Sequence, residues 1–173
     1  MDLTWRESRI TQIIFTIIRL YVAYEWITAG FNKVFGANAE KWVGSQAGTA
    51  VTGFLQGALQ KDISWWYAGF IENIALPNAT LFSYVIAWGE LLAGIGIAIG
   101  FLTNIALLGT ILMNTAYLMA GTISTNPQLL ILEVILLWGG VATYYFGVDR
   151  IFLPRWRKYR LRREEHKLEH DEK

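Results

Sequence analysis

Four stretches of about twenty mostly apolar residues dominate the sequence: about Thr11–Lys33, Leu81–Gly100, Thr103–Thr122 and Gln128–Gly147. Each is long enough to cross the hydrocarbon core of a bilayer as a helix, about 30 Å at about 1.5 Å per residue. Inside lipid the backbone N–H and C=O groups have no water to bond, so spanning segments of this kind close their hydrogen bonds internally as helices. The sequence therefore predicts an all-α protein, an integral membrane four-helix bundle over residues 1–154, with a basic, charged cytoplasmic tail over 155–173. Composition agrees: only 17% of residues are charged and 54% are hydrophobic, where a water-soluble domain carries about 25% charged residues. Residues 101–127 contain no Lys, Arg, Asp or Glu at all. The first apolar run, about Ile10 to Phe35, is longer than a signal-peptide core and lacks an A-x-A-like cleavage site, so it reads as a span.

The junctions are short or sharply marked. Only Phe101-Leu102-Thr103 separates the second span from the third, which requires a tight helical hairpin. Asn126-Pro127 divides the third from the fourth, because proline disfavours helix in the residue before it and suits the first turn of the next helix. The four spans are otherwise read as unbroken. Gly96 and Gly100 make a G-x-x-x-G pair, and Gly89 with Ala93 a second small-residue pair, both of which allow close helix contact.

Orientation follows from Lys and Arg near the span ends. Nine lie between residues 150 and 173, and Arg6 and Arg9 precede the first span. The loop between spans one and two has Lys41 and Lys61, with Lys33 at its edge. The N- and C-termini are thus expected in the cytoplasm of a prokaryotic cell, with a multi-pass chain in the plasma membrane and Val34–Thr80 outside. Within that loop Ala50, Val51, Phe54, Leu55, Ala58 and Leu59 recur at helical spacing, as do Trp66, Phe70 and Ile74. They predict two short amphipathic interfacial helices, with Trp42, Trp65, Trp66 and Tyr67 anchoring them at the membrane surface.

The ionisable residues inside the spans are the candidates for function. A charge there costs at least about 2.5–3.5 kcal/mol, so it turns inward and finds a partner. The chain places Arg19 and Glu25 in span one, Glu90 in span two and Glu133 in span four, with Asn114 in the middle of span three. Helical spacing puts Tyr21, Glu25, Thr28, Ala29 and Asn32 on one face of span one. Glu90 shares a face with Ser83, Ile86 and Gly94. Asn114 lies in line with Thr110 and Tyr117, and Glu133 with Leu137, Gly140 and Tyr144. At about 1.5 Å per residue, Glu90 sits about 14 Å below the outer end of its span, Glu25 and Asn114 about 12 Å and Glu133 about 8 Å. The four polar faces are expected to meet around a pocket in the outer half of the bundle, while Arg19 lies deeper on another face. Three carboxylates against one arginine lead to the expectation that Glu90 or Glu133 is protonated at rest.

Other chemistries are excluded by residue type. There is no Cys, so thiolate metal sites, disulfides and persulfide relays are absent from this chain. The two histidines, His166 and His170, lie in the tail, which leaves no haem or metal ligands inside the spans. A carboxylate-bridged metal centre in a bundle calls for Glu-x-x-His motifs that are not here. No nucleotide or flavin motif is present. The juxtamembrane run Arg155–Arg163 suits anionic lipid rather than nucleic acid.

Several stretches carry a resemblance to a known family. Ile18-Arg19-Leu20-Tyr21-Val22-Ala23-Tyr24-Glu25-Trp26-Ile27-Thr28-Ala29-Gly30, then Lys33, resembles the first helix of the DoxX family. Gly89-Glu90-Leu91 with Gly94 and Gly100-Phe101-Leu102-Thr103 is similar to its second helix and hairpin. Met113-Asn114 and Ala120-Gly121-Thr122-Ile123-Ser124-Thr125-Asn126-Pro127 resemble the end of its third helix, and Tyr144-Tyr145-Phe146-Gly147-Val148-Asp149-Arg150 its closing motif. The resemblance implies a four-helix membrane bundle related to DoxD, the large membrane subunit of an archaeal thiosulfate:quinone oxidoreductase. It also implies links to oxidative-stress and thiol-redox assemblies.

Residues and resemblance together favour a quinone-linked oxidoreductase membrane subunit. In that reading Glu90, Glu25 and Glu133 are the catalytic candidates, with Glu90 relaying protons. Asn114, Tyr117 and Tyr144 would bond the quinone carbonyls, Trp26 and Trp88 would stack on the ring, and Arg19 would complete the site. Quinone is the expected substrate, and the expected partners are the lipid bilayer, a second redox subunit and further copies of the chain. A non-catalytic scaffold of a redox complex and a proton-coupled small-molecule transporter stand as alternatives.

Overall fold

The structure, a computed structural model, describes residues 4–156 and 159. Among the described residues it is built of helices and turns, with no strand. A 3-10 turn at Thr4–Glu7 leads into α1 (Arg9–Phe35), followed by α2 (Ala39–Trp42), α3 (Thr49–Leu59) and α4 (Trp65–Phe70), which runs on into a π-helical turn at Ile71–Ala75. Then come α5 (Ala79–Ile99), α6 (Thr103–Met119), α7 (Asn126–Gly139) and α8 (Val141–Tyr144), and a further helix, α9, covers residues 149–156.

Two of these helices, α1 with 27 residues and α5 with 21, are long and apolar enough to cross a membrane. The apolar helices α6 and α7 are shorter, at 17 and 14 residues. The expected third span overruns its helix: α6 stops at Met119, and Gly121 turns the chain at φ +72°. The fourth span is not continuous as expected. It breaks at Gly140, whose φ of +54° and ψ of −117° suit a residue without a Cβ. The Leu136 carbonyl beside the break is satisfied instead by the Thr143 hydroxyl on α8, which donates to it. Pro127 occupies the first turn of α7, where its missing N–H costs nothing.

The α1–α5 interface is the most extensive, and small residues set its distance. Gly30 lies against the backbone of Leu91, and Gly94 against the backbone N of Ile27, so closely that a Cβ on either would overlap the facing helix. Helix α5 then packs on α6, α6 on α7, and α7 with α8 returns to α1. Phe15, Val22 and Trp26 from α1 meet Ile97, Leu107, Leu129 and Leu136 in the shared interior. The outward faces are apolar too: Ile17, Leu92, Leu112 and Ile131 are each more than half exposed. A soluble monomer rarely shows apolar surface on all its helices, and lipid is the solvent that suits it.

Both helices expected in the long loop are present, as α3 and α4. Their apolar faces turn to protein: Val51, Leu55 and Ala58 cluster with Tyr67, Ile71 and Ala75 against Ala79 and Ala120. The Tyr67 hydroxyl donates to the Ala116 carbonyl at 2.8 Å, tying α4 to α6. Trp65, at 86% exposed, and Trp66 point outward. Of the basic tail, Arg155, Trp156 and Tyr159 are described. The rest of the run to Arg163, the charges from Glu164 to Lys173, and both histidines lie outside the described residues.

Candidate functional site: a charged cavity beside two buried carboxylates

A cavity of about 300 Å³ opens where α1, α3, α5, α6 and the α6–α7 loop meet. Glu25, Ala29 and Lys33, spaced four apart on one face of α1, line one side. Ile86 and Glu90 on α5 and Tyr117 on α6 face them, with aromatic walls from Trp26, Trp42 and Phe54. The rim is made by Thr122, Ser124, Thr125 and Asn126, none of them charged. Ser124 holds φ +28°, a left-handed conformation that costs a non-glycine residue energy.

The charged centre of the cavity joins two helices. Lys33 Nζ donates to Glu90 Oε2 at 2.6 Å, and the Tyr117 hydroxyl donates to Glu90 Oε1 at 2.6 Å. The close α1–α5 approach explains the pair, because Gly30, one turn from Lys33, packs on Leu91, the neighbour of Glu90. Lys33 also lies 5.0 Å from the centre of the Trp42 ring, a cation–π contact. The expectation of a single cation among three carboxylates is corrected here. Lys33 reaches back from the edge of its span and neutralises Glu90, leaving the carboxyl on an ion pair.

A second buried carboxylate sits behind the cavity. Trp26 Nε1 donates to Glu133 Oε1 at 2.6 Å, and Asn114 Nδ2 donates to Glu133 Oε2 at 3.0 Å. Glu133 and Asn114 are fully buried. Both donors to Glu133 are neutral, and Asn114 Oδ1 has no partner among the described residues. Trp26 connects the two clusters, since its ring lines the cavity while its N–H reaches Glu133.

Arg19 stands apart. It is buried against Gly100 and Gly147, and its Nη2 makes a long 3.4 Å bond to the Phe146 carbonyl. Its Nε and Nη1 have no partner among the described residues. The carboxylate that acts on it is Asp149, outside the spans, which also accepts from Leu102 N and Thr103 N at the start of α6. Trp88 is 40% exposed on α5 with its ring edge-on to Phe35, away from the cavity. Tyr144 lies on α8, and Tyr21 and Thr28 face outward.

Of the nine site candidates, the cavity therefore brings together Glu25, Trp26, Glu90 and Tyr117. Glu133 and Asn114 form the pair behind it. The residues that sequence reasoning left out are Lys33, Trp42, Phe54 and the rim. Lys33 had a usable signal, because it continues the Glu25–Ala29 stripe by one more step of four. Trp42 and Phe54 come from the loop, and their approach depends on how α2 and α3 fold back.

Helices with apolar exteriors, two of them long and apolar enough to cross a bilayer, and charges gathered in the interior are the features of a helical membrane protein. The chain belongs to the DoxX family, whose model, described as DoxX, matches residues 14–123. That range covers most of α1, all of α2 to α6 and the start of the α6–α7 loop, and it ends before Ser124 and Glu133. No curated protein and no solved structure matches the chain.

Proposed function

We propose that this DoxX protein is a four-span bundle of the prokaryotic plasma membrane, both termini cytoplasmic, acting as the membrane subunit of a quinone-linked oxidoreductase. The observation that carries the reading is the Lys33–Glu90–Tyr117 chain on the wall of an aromatic cavity. A quinone needs donors for its carbonyls, flat apolar faces for its ring and a route for protons. Lys33 has N–H groups beyond the one bonded to Glu90, and it takes the donor place expected of Asn114 and Tyr144. Trp26, Trp42 and Phe54 offer the ring faces. Glu90 holds both neighbours at 2.6 Å, within proton-transfer reach. About 300 Å³ is at the small end of ligand sites and suits a head group whose tail stays in lipid. Electrons would come from a second redox subunit.

The scaffold reading keeps one specific observation in its favour. Glu133 accepts from Trp26 and Asn114 and cross-links α1, α6 and α7, which is what a structural lock requires.

Titration of the purified protein with menaquinone and ubiquinone analogues, followed by tryptophan quenching, tests the proposal. Saturable quenching is expected, weakened about tenfold by Lys33→Ala or Tyr117→Phe, about the worth of one hydrogen bond. Absence of saturable quenching removes the quinone and leaves the scaffold.

A further inference from the structure

Three charged side chains line the cavity: Glu25, Lys33 and Glu90. Lys33 and Glu90 cancel at 2.6 Å. Glu25 has no cationic partner among the described residues, where the Lys33–Glu90 pair is the one ion pair. The uncharged rim offers nothing to balance it. Lys61, which does not line the cavity, donates to the Gly121 carbonyl at 2.9 Å. The cavity thus carries one uncompensated negative charge between low-dielectric walls.

We propose that Glu25 is a specificity-determining residue that makes the cavity a charge filter. It admits aromatic rings that are neutral or positively charged and rejects rings or small ions that carry negative charge. A carboxylate in a partly enclosed cavity acts more strongly on anything that enters than one on an open surface, because less water screens it. The walls act in the same sense. Trp26, Trp42 and Phe54 line the cavity, and Trp42 already has the Lys33 cation 5.0 Å from its ring centre, drawn by the negative potential of an aromatic face. A direct chemical consequence concerns electron donors: a sulfur oxyanion such as thiosulfate is excluded from this cavity and would have to react on another surface or subunit. That an aromatic ring enters rests on the function proposed above, whereas the filter against anions does not.

The test uses the full chain in mild detergent, with a naphthoquinone and its ring-sulfonated analogue as matched probes. The sulfonate is expected to bind wild type about tenfold more weakly than the neutral ring, the lower range for focused charge in a cleft. Glu25→Gln should close most of that gap by strengthening binding of the sulfonate, and Glu25→Asp should preserve it. A gap that persists in Glu25→Gln overturns the filter. If neither ring binds wild type, the quinone reading fails by itself, and collisional quenchers then decide the filter. Going from wild type to Glu25→Gln, iodide should quench the cavity tryptophans more, caesium less and acrylamide equally. Unchanged iodide and caesium quenching overturns the proposal. Should Glu25→Gln fail to fold, Thr125→Lys on the exposed rim supplies a compensating cation and should admit the sulfonate. No gain there overturns it as well.

Discussion

Lys33 on α1 and Glu90 on α5 are bound at 2.6 Å although 57 residues separate them in the chain. They meet because Gly30 and Gly94 let the two longest helices touch at backbone distance. The ion pair, the helix interface and the cavity wall are therefore one feature. Removing either charge strands the other, and Glu90 is the more deeply buried of the two, with Lys33 about 20% exposed. Lys33→Ala should cost about 3 kcal/mol, the lower end for a broken buried pair because Lys33 keeps some water. Lys33→Met with Glu90→Leu should recover most of the loss. Thermal unfolding in detergent checks both, and equal stability of single and double variants would refute the coupling.

Glu133 accepts from two neutral donors, so what Trp26 and Asn114 need at this position is an acceptor rather than a charge. Glu133→Gln keeps an acceptor oxygen and should change stability by about 1 kcal/mol or less, whereas Glu133→Ala leaves the Trp26 and Asn114 donors unpaired and should cost about 2–4 kcal/mol. The Trp26 indole N–H resonance should move strongly in Glu133→Ala and modestly in Glu133→Gln.

Glycine positions separate two kinds of behaviour. A side chain at Gly94 meets the α1 backbone, so Gly94→Val should cost about 3 kcal/mol or more by overpacking and should part Lys33 from Glu90. A Cβ at Gly57 on α3 meets nothing within 4 Å. Gly57→Ala should be neutral or gain up to about 1 kcal/mol from helix propensity. Melting temperature should fall in Gly94→Val and hold or rise slightly in Gly57→Ala.

The proposed topology can be read chemically, because the chain has no native cysteine. Single cysteines at Ser45 and Ser8 should label with a membrane-impermeant maleimide from outside the cell and only after lysis, respectively. Labelling of both from the same side would overturn the four-span arrangement.

Tyr67, on α4 outside the spans, has its hydroxyl pushed above the ordinary phenol range by burial. Its folded form stays neutral where the unfolded chain already ionises. The contribution of Tyr67 to stability is complete below the unfolded value, near pH 10, and is lost as pH climbs from there through the folded one. Tyr67→Phe should flatten the alkaline decline in stability, and tyrosinate absorbance should lose one late-titrating component.

The sequence alone determined the helical class, because runs of about twenty apolar residues leave the backbone no other way to close its hydrogen bonds in lipid. It also located the tight Phe101–Thr103 hairpin, the break at Asn126-Pro127 and the two loop helices, each set by local spacing or by proline. Glu25, Trp26, Glu90 and Tyr117 could be picked because a polar group at such depth is costly and turns inward. Tertiary structure decided the partners. Lys33 rather than Arg19 meets Glu90, since the register of α1 on α5 is fixed by Gly30 and Gly94 across 57 residues of intervening chain. Glu133 went to Trp26 and Asn114 where α1, α6 and α7 meet, and Arg19 to Gly100 and Gly147. Helical spacing says which side chains share a face, but only the packing of one helix on another says what that face meets.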